Sequence, residues 1–207
     1  MKAKLKICGM KVPSNIEGAI ALNPDYLGFI FYPGSKRFVD QLDAEVVKKI
    51  PAAIKTTGVF VDEKLETVLA TIELYQLKAV QLHGNESPEY CAALKGKAEV
   101  IKAFGISETF DFNKLNVFEE VADYFLFDTQ TAGHGGSGQM FNWQLLDKYI
   151  LQTPYFLSGG IGLENAAELA QIADERFYAM DVNSRFELSP GLKNINLLNQ
   201  FKNMLGR

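Results

Sequence analysis

The chain has 207 residues, 47% of them hydrophobic, and a formal net charge of −4. Such a length and apolar content allow one full hydrophobic core and exclude a disordered chain, and the mild acidic balance offers no basic footprint for nucleic acid. No run approaches the roughly eighteen apolar residues of a membrane span, and lysines interrupt the N-terminus where a signal peptide needs an apolar core.

Two cysteines, Cys8 and Cys91, make neither a disulfide framework nor a zinc site of ordinary spacing. Reduced thiols and a cytoplasmic location are therefore expected.

In chain order, short β-rich runs occur at 4–8 (KLKIC), 26–31 (YLGFIF), 55–61 (KTTGVFV) and 77–82 (LKAVQL). Four more follow at 98–104 (AEVIKAF), 124–128 (YFLFD), 155–158 (YFLS) and 177–182 (FYAMDV). Each precedes a segment with helical spacing of apolar residues, such as 12–22, 43–50, 63–74, 87–96 and 163–173. Asp43, Ser87 and Asp111 have side chains suited to capping helix starts. Eight β–α units in even alternation predict an α/β fold: a single-domain (β/α)8 barrel over 1–207 with a parallel eight-stranded sheet. A doubly wound open sheet is the competing architecture, but it seldom needs eight units of such even length. No linker or low-complexity segment divides the chain.

Strand parity then locates a polar mouth. Leu5 and Ile7 alternate with Lys4, Lys6 and Cys8; Val80 and Leu82 alternate with Gln81 and His83. Phe125 and Phe127 alternate with Leu126 and Asp128, and Met180 and Val182 with Asp181 and Asn183. Successive side chains point to opposite faces, and the outer face of a barrel packs on helices and must be apolar. Lys6, Cys8, Gln81, His83, Lys102, Asp128 and Asp181 are thus expected to converge at the C-terminal mouth, where barrels of this kind place their active sites. For Lys6, Lys102 and Asp181 the alternative is interior ion pairing that fills the barrel.

Three loops have the composition of anion sites. The glycine-dense segment 131–143 follows strand 6 and holds Gly135 and Gly136; 158–165 follows strand 7 with Gly159 and Gly160; 181–191 follows strand 8 with Asn183, Ser184 and Arg185. Glycine lets backbone N–H groups approach a ligand closely, and loops after strands 7 and 8 frequently hold phosphate in such barrels. The alternative for 131–143 alone is a flexible turn. Together the three loops point to a phosphorylated substrate.

The motifs KICGM (6–10), GFIFYPGSKRFV (28–39), GVFVDE (58–63), QLHGNESPEYC (81–91), LFDTQTAGHGGSGQMFNW (126–143), LSGGIGLEN (157–165) and DVNSRFELSPGLK (181–193) occur in order along nearly the whole chain. In them the sequence resembles the phosphoribosylanthranilate isomerases of tryptophan biosynthesis. The resemblance implies an Amadori rearrangement of N-(5′-phosphoribosyl)anthranilate to the 1-deoxyribulose 5-phosphate isomer, with no cofactor and no metal. It further implies Cys8 as general base, Asp128 as general acid and Arg37 as the reader of the anthranilate carboxylate. Lys6, Gln81, His83 and Asp181 are the remaining candidates for substrate contact, and Gly135, Gly136, Gly159, Gly160, Asn183, Ser184 and Arg185 for phosphate. His83 is a contact or a pocket-ordering residue, with a satisfied core imidazole as the alternative; His134 is read as exposed and Cys91 as a small buried apolar residue.

The residue types suit the chemistry. A protonated carboxyl can open the furanose and a thiolate can take the C2 proton, but a free thiol has a pKa of about 8.5, so Cys8 needs nearby positive charge, for which Lys6 is the candidate. Asp128 must stay protonated near neutral pH, which burial favours. A guanidinium such as that of Arg37 grips both carboxylate oxygens. Two departures from the family pattern stand out: Arg185, where many relatives have glycine, and Lys36, where proline is frequent. A non-catalytic phosphometabolite-binding barrel would keep the loops and lose Cys8 or Asp128. Other phosphosugar barrels, such as indole-glycerol phosphate synthase or ribulose-phosphate epimerase, need a lysine–glutamate site or paired aspartates with histidines. The expected partner is a small phosphorylated aminosugar, not nucleic acid or membrane; monomer and homodimer both stay open.

Overall fold

The computed structural model describes residues 3–130 and 140–206. Eight parallel strands close into a barrel in sequence order: β1 (Lys4–Ile7), β2 (Tyr26–Ile30), β3 (Lys55–Phe60), β4 (Ala79–Leu82), β5 (Glu99–Ile106), β6 (Tyr124–Thr129), β7 (Tyr155–Leu157) and β8 (Phe177–Val182). All eight expected strands are present, with ends shifted by at most two residues. Closure comes from β1 against β8, where Lys6 lies opposite Asp181 and Ile7 opposite Val182.

The helices start where the local chemistry supplies a cap. Asp43 accepts the Glu45 amide before α2 (Ala44–Lys48), and Ser87 accepts the Tyr90 amide before α4 (Pro88–Leu94). α1 (Pro13–Ala21) begins on proline, whose missing N–H is not needed there, and α3 (Leu65–Tyr75) ends on Gln76 in the left-handed region. Asp111 also caps, accepting the Asn113 amide, but the element it starts, Phe112–Phe118, is a 3₁₀ helix. Phe112, Leu115 and Phe118 recur every third residue, which at three residues per turn aligns them on one side towards the core. After β7 the expected helix over 163–173 is shorter: a 3₁₀ turn at Leu163–Asn165 leads into α5 (Ala166–Leu169). The segment after β8 folds into an antiparallel pair, β9 (Glu187–Ser189) and β10 (Leu192–Lys193), turning at Gly191 (φ +85°), before α6 (Ile195–Met204).

Two apolar layers follow from strand parity. Tyr26, Ala79, Ile101, Ala103, Leu126, Phe156 and Ala179 fill the barrel interior, while Leu5, Ile7, Phe29, Phe60, Val80, Leu82, Phe125, Phe127, Leu157 and Val182 join the helices in the outer core. Each such fully buried large side chain contributes about 1.5–3 kcal/mol of transfer free energy. The inner layer closes the barrel below the polar residues, so what remains open is the end at which the strands terminate.

Candidate active site

Lys6 sits at the centre of the polar end of the barrel. It is fully buried, and its ammonium donates to Asp181 Oδ2 at 2.7 Å and to Gln81 Oε1 at 2.6 Å. Burial alone would lower the Lys6 ammonium pKa, but Asp181, followed by Cys8, outweighs it and holds the lysine charged. The other oxygen of Asp181, Oδ1, is buried without a hydrogen-bond partner among the described residues. Lys6 and Asp181 therefore form an interior ion pair at the polar end of the barrel, with one carboxylate oxygen on the lysine.

Cys8 follows β1 directly, its amide bonded to the Val182 carbonyl at 2.9 Å, and only 4% of its surface is exposed. The thiol faces Gly28 of β2, where an added Cβ would come within 2.8 Å of Sγ. Burial holds the Cys8 thiol above its ordinary pKa; Lys6 and Lys193 pull the other way and do not prevail. The lysine expected to activate Cys8 acts on it electrostatically but does not offset its burial.

Asp128, near the end of β6, is buried, and its Oδ1 accepts the Thr129 amide at 2.8 Å. Burial pushes its carboxyl up to about 6, against the pull of that amide and of Ser158. The shift is in the direction, and from the cause, expected from the sequence, although a carboxyl at about 6 is still mostly ionised at neutral pH. Gly159, at φ +89°, stands against this group: a Cβ there would lie 2.9 Å from Asp128 Oδ1 and 2.8 Å from the Thr129 nitrogen. Gly159 is therefore needed both for a left-handed backbone and for clearance. Asp181 and Lys6 act electrostatically on both Cys8 and Asp128, so the thiol and the carboxyl surround one ion pair.

Gln81 and His83 connect the two sides. Gln81 Nε2 lies 2.8 Å from His83 Nδ1, and His83 Nε2 lies 3.5 Å from Asp128 Oδ2. Lys102 departs from the expected convergence. It shares the parity of Val100 and Phe104, opposite Leu82 on the outer face, and its ammonium binds the Leu82 and Gly84 carbonyls and Glu86 at 3.1 Å. It does not enter the mouth because the parity that points Ile101 and Ala103 inward points Lys102 out, and Glu86 compensates its charge there. Lys102 is ion-paired, but with Glu86 on the outer face and not inside the barrel as the alternative had it.

Arg37 is clamped by Glu187: Nε donates at 2.9 Å to Oε1 and Nη2 at 2.7 Å to Oε2. Glu187 is shared with buried Lys193, whose ammonium binds Glu187 Oε1 at 2.7 Å and Asn183 Oδ1 at 2.6 Å. Glu187 and Lys193 are not among the residues singled out in the sequence; the Arg37–Glu187 contact joins positions 150 residues apart. Gly9 (φ +77°) packs against both Arg37 and Asn183, where a Cβ would come within 2.7 and 2.8 Å.

The loops after β7 and β8 lie side by side, as their strands do. Gly159 and Gly160 both have positive φ, at 89° and 64°. Ser184 opens a 3₁₀ turn, Ser184–Phe186, next to Asn183. Arg185 reaches across to Glu164 at 3.4 Å, largely in solvent. Gly135, Gly136 and His134 lie outside the described residues. Cys91 is fully buried in the core, as expected for a small apolar residue, and Lys36 is exposed. Among the described residues no group of three His, Cys, Asp or Glu side chains could hold a metal ion, and no helix is long and apolar enough to cross a membrane.

Residues 5–204 match the family model described as N-(5'phosphoribosyl)anthranilate (PRA) isomerase. The N-(5'-phosphoribosyl)anthranilate isomerase of Parabacteroides distasonis is 44% identical over 200 residues, covering 95% of this chain and 90% of that protein. The enzyme of the same name from Thermotoga neapolitana is 40% identical, covering 96% of each. Among solved structures, phosphoribosyl anthranilate isomerase from Thermotoga maritima superimposes with a TM-score of 0.86 at 34% identity, covering 99% of this chain and 100% of that one. A phosphoribosyl anthranilate isomerase in complex with reduced 1-(o-carboxyphenylamino)-1-deoxyribulose 5-phosphate does so with a TM-score of 0.83 at 31% identity, covering 99% of this chain and 98% of that one. Matched along almost its whole length by the family model, by these relatives and by their barrels, the chain belongs to the N-(5'-phosphoribosyl)anthranilate isomerase family.

Proposed function

We propose that the chain isomerises N-(5′-phosphoribosyl)anthranilate to its 1-deoxyribulose 5-phosphate isomer, with Asp128 as general acid and Cys8 as general base. The observation that carries the assignment is the pairing of a buried carboxyl raised to about 6 with a thiol around the one Lys6–Asp181 ion pair. Asp128 gives its proton to the furanose oxygen; the C1–O bond breaks, and the anthranilate nitrogen lone pair forms the C1=N bond of a protonated Schiff base. That cation acidifies C2–H. Cys8, as thiolate, takes the proton, and the C2–H electron pair becomes the C1=C2 bond of an enolamine as the iminium is neutralised. Loss of the enol proton and protonation at C1 yield the ketone. Every electron stays within the substrate, so the chemistry calls for no cofactor.

Around the reacting carbons, Asp181 Oδ1 is the acceptor left for a sugar hydroxyl, with Gln81 and His83 lining the same side. Arg37 takes the anthranilate carboxylate in exchange for, or alongside, Glu187, since a fork-shaped guanidinium can serve two carboxylates on different edges. Backbone N–H groups around Gly159, Gly160, Asn183 and Ser184 take the phosphate. Arg185 reaches it only by leaving Glu164, a solvated pair worth less than about 1 kcal/mol. A cytoplasmic location suits a small phosphorylated metabolite.

The direct test is isomerisation by the purified chain, coupled to the synthase that consumes the product. Turnover that saturates with substrate supports the reading; binding without turnover favours the non-catalytic barrel.

A further inference from the structure

We propose that Lys6, through Gln81, fixes His83 as a neutral imidazole with its proton on Nε2, which makes His83 a positioning donor for Asp128 and prevents it from acting as a second acid. The chain of contacts has only one sense. A lysine ammonium can donate but never accept. Lys6 is fully buried, and its donation to Gln81 at 2.6 Å therefore requires a carbonyl oxygen there. Gln81, itself buried, is then obliged to turn its NH₂ towards His83 Nδ1, 2.8 Å away. Rotating the amide would set that NH₂ against an ammonium at hydrogen-bond distance. Facing an N–H donor, Nδ1 must be the unprotonated nitrogen, and the ring proton sits on Nε2, 3.5 Å from Asp128 Oδ2.

Among the described residues, the acids on the neighbouring strands and loops are otherwise engaged or favour the same proton. From β6, Asp128 faces Nε2 and favours a proton there. Asp181 of β8 is bound to Lys6. Asp62, beyond β3, is bound to the Asn85 amide at 2.5 Å, and Glu86 to Lys102 and to the Asp62 and Gly84 amides. The donor at Nδ1 opposes the imidazolium, in which both nitrogens carry protons.

The catalytic consequence rests on the assignment of Asp128 as the acid; the tautomer does not. At 3.5 Å the His83–Asp128 contact is longer than a formed hydrogen bond, and it shortens when Asp128 releases its proton, because donors to a carboxylate bind more strongly than donors to a neutral acid. A neutral imidazole N–H stabilises that carboxylate without handing a proton to the substrate. His83 thus favours the state after proton transfer and leaves Asp128 as the proton source.

The tautomer is read from long-range ¹H–¹⁵N spectra of the free protein, with the His83 signals assigned by their loss in His83→Gln. The expected result is an unprotonated Nδ1 and a protonated Nε2 that persist through the ordinary imidazole pKa of about 6.5. A proton on Nδ1, or titration to imidazolium near that value, overturns the proposal, whether or not the protein is an isomerase. In kinetics, His83→Ala lowers kcat about tenfold, roughly the worth of one hydrogen bond to a charged group. His83→Gln, which can place an amide N–H near the Nε2 position, recovers most of it. Equal kcat in the two variants, or no loss in either, overturns the positioning role.

Discussion

Lys6 and Asp181 face each other across the seam that closes the barrel, 2.7 Å apart, with 0% and 5% of their side chains exposed. Around this pair stand the thiol of Cys8, the amide of Gln81 and, by its field, the carboxyl of Asp128. A buried ion pair is weak evidence for stability, since desolvation offsets much of its attraction, but a half-pair is costly. Lys6→Met should therefore destabilise the fold by about 3–5 kcal/mol, the penalty of stranding a buried charge. Lys6→Met combined with Asp181→Leu should recover much of that while abolishing turnover. Urea unfolding of both variants checks it; a single variant within 1 kcal/mol of the parent, as in ordinary surface substitutions (about ±0.5 kcal/mol), contradicts the pairing.

The pH–rate profile follows from the two raised groups. Asp128 titrates at about 6 and Cys8 above the ordinary thiol value, yet catalysis needs the first protonated and the second ionised. The active form is consequently a minor one at every pH. Below about 6 the acid is already protonated and each further drop in pH only removes thiolate, so kcat/KM falls; the low-pH limb lies at the Asp128 value. Above the Cys8 pKa the thiolate is complete and only protonated Asp128 is lost, so the rate falls again. A plateau between these limbs is expected from kcat/KM measured across pH. A single limb rising through the Cys8 range with none near 6 contradicts it.

The parts of this site read from the chain were those that local pattern determines. Cys8, Lys6, Gln81, Asp128 and Asp181 came from alternation within single strands, because a strand flips its side chains every residue wherever it lies in the barrel. The same rule misplaced Lys102: a charged residue at outer parity can be held by Glu86, an acid from a different element, and only the fold brings the two together. Arg37 was legible as a charge in a motif, but not its clamp by Glu187 at a separation of 150 residues. Likewise Asp111 marked a helix start, but a capping side chain does not separate α from 3₁₀ geometry, and the element it opens is 3₁₀.

Gly28 supports the thiol from the neighbouring strand. A methyl group there would come within 2.8 Å of Cys8 Sγ and 3.1 Å of Cys8 Cα, backbone that cannot yield as a side-chain tip can. Gly28→Ala is expected to displace Cys8 and lower kcat roughly ten- to hundredfold, the scale of an ångström misplacement of a reacting group. Steady-state kinetics with a folding control by circular dichroism decides it, and wild-type kcat contradicts the contact.

Glu187 makes Arg37 pH-sensitive. Burial would raise its carboxyl, but Arg37, then Lys193 and the Gly191 amide, outweigh burial and lower it below 4.5. A depressed carboxylate contributes stability that is present above its unfolded pKa and lost as pH falls through its folded one. The parent should thus lose stability below about pH 4.5, and Glu187→Gln should flatten that slope while raising KM by loosening Arg37. Thermal midpoints against pH, with KM at neutral pH, test both halves; an unchanged slope and KM contradict the clamp.

The most direct measurement is turnover of Cys8→Ala and Asp128→Ala beside the parent protein, with thermal midpoints taken on the same samples. Each variant should lose about 10²–10⁴-fold in kcat, the range for a positioned acid or base, while unfolding near the parent temperature. Parental turnover in either folded variant would contradict an acid–base pair made of that carboxyl and that thiol.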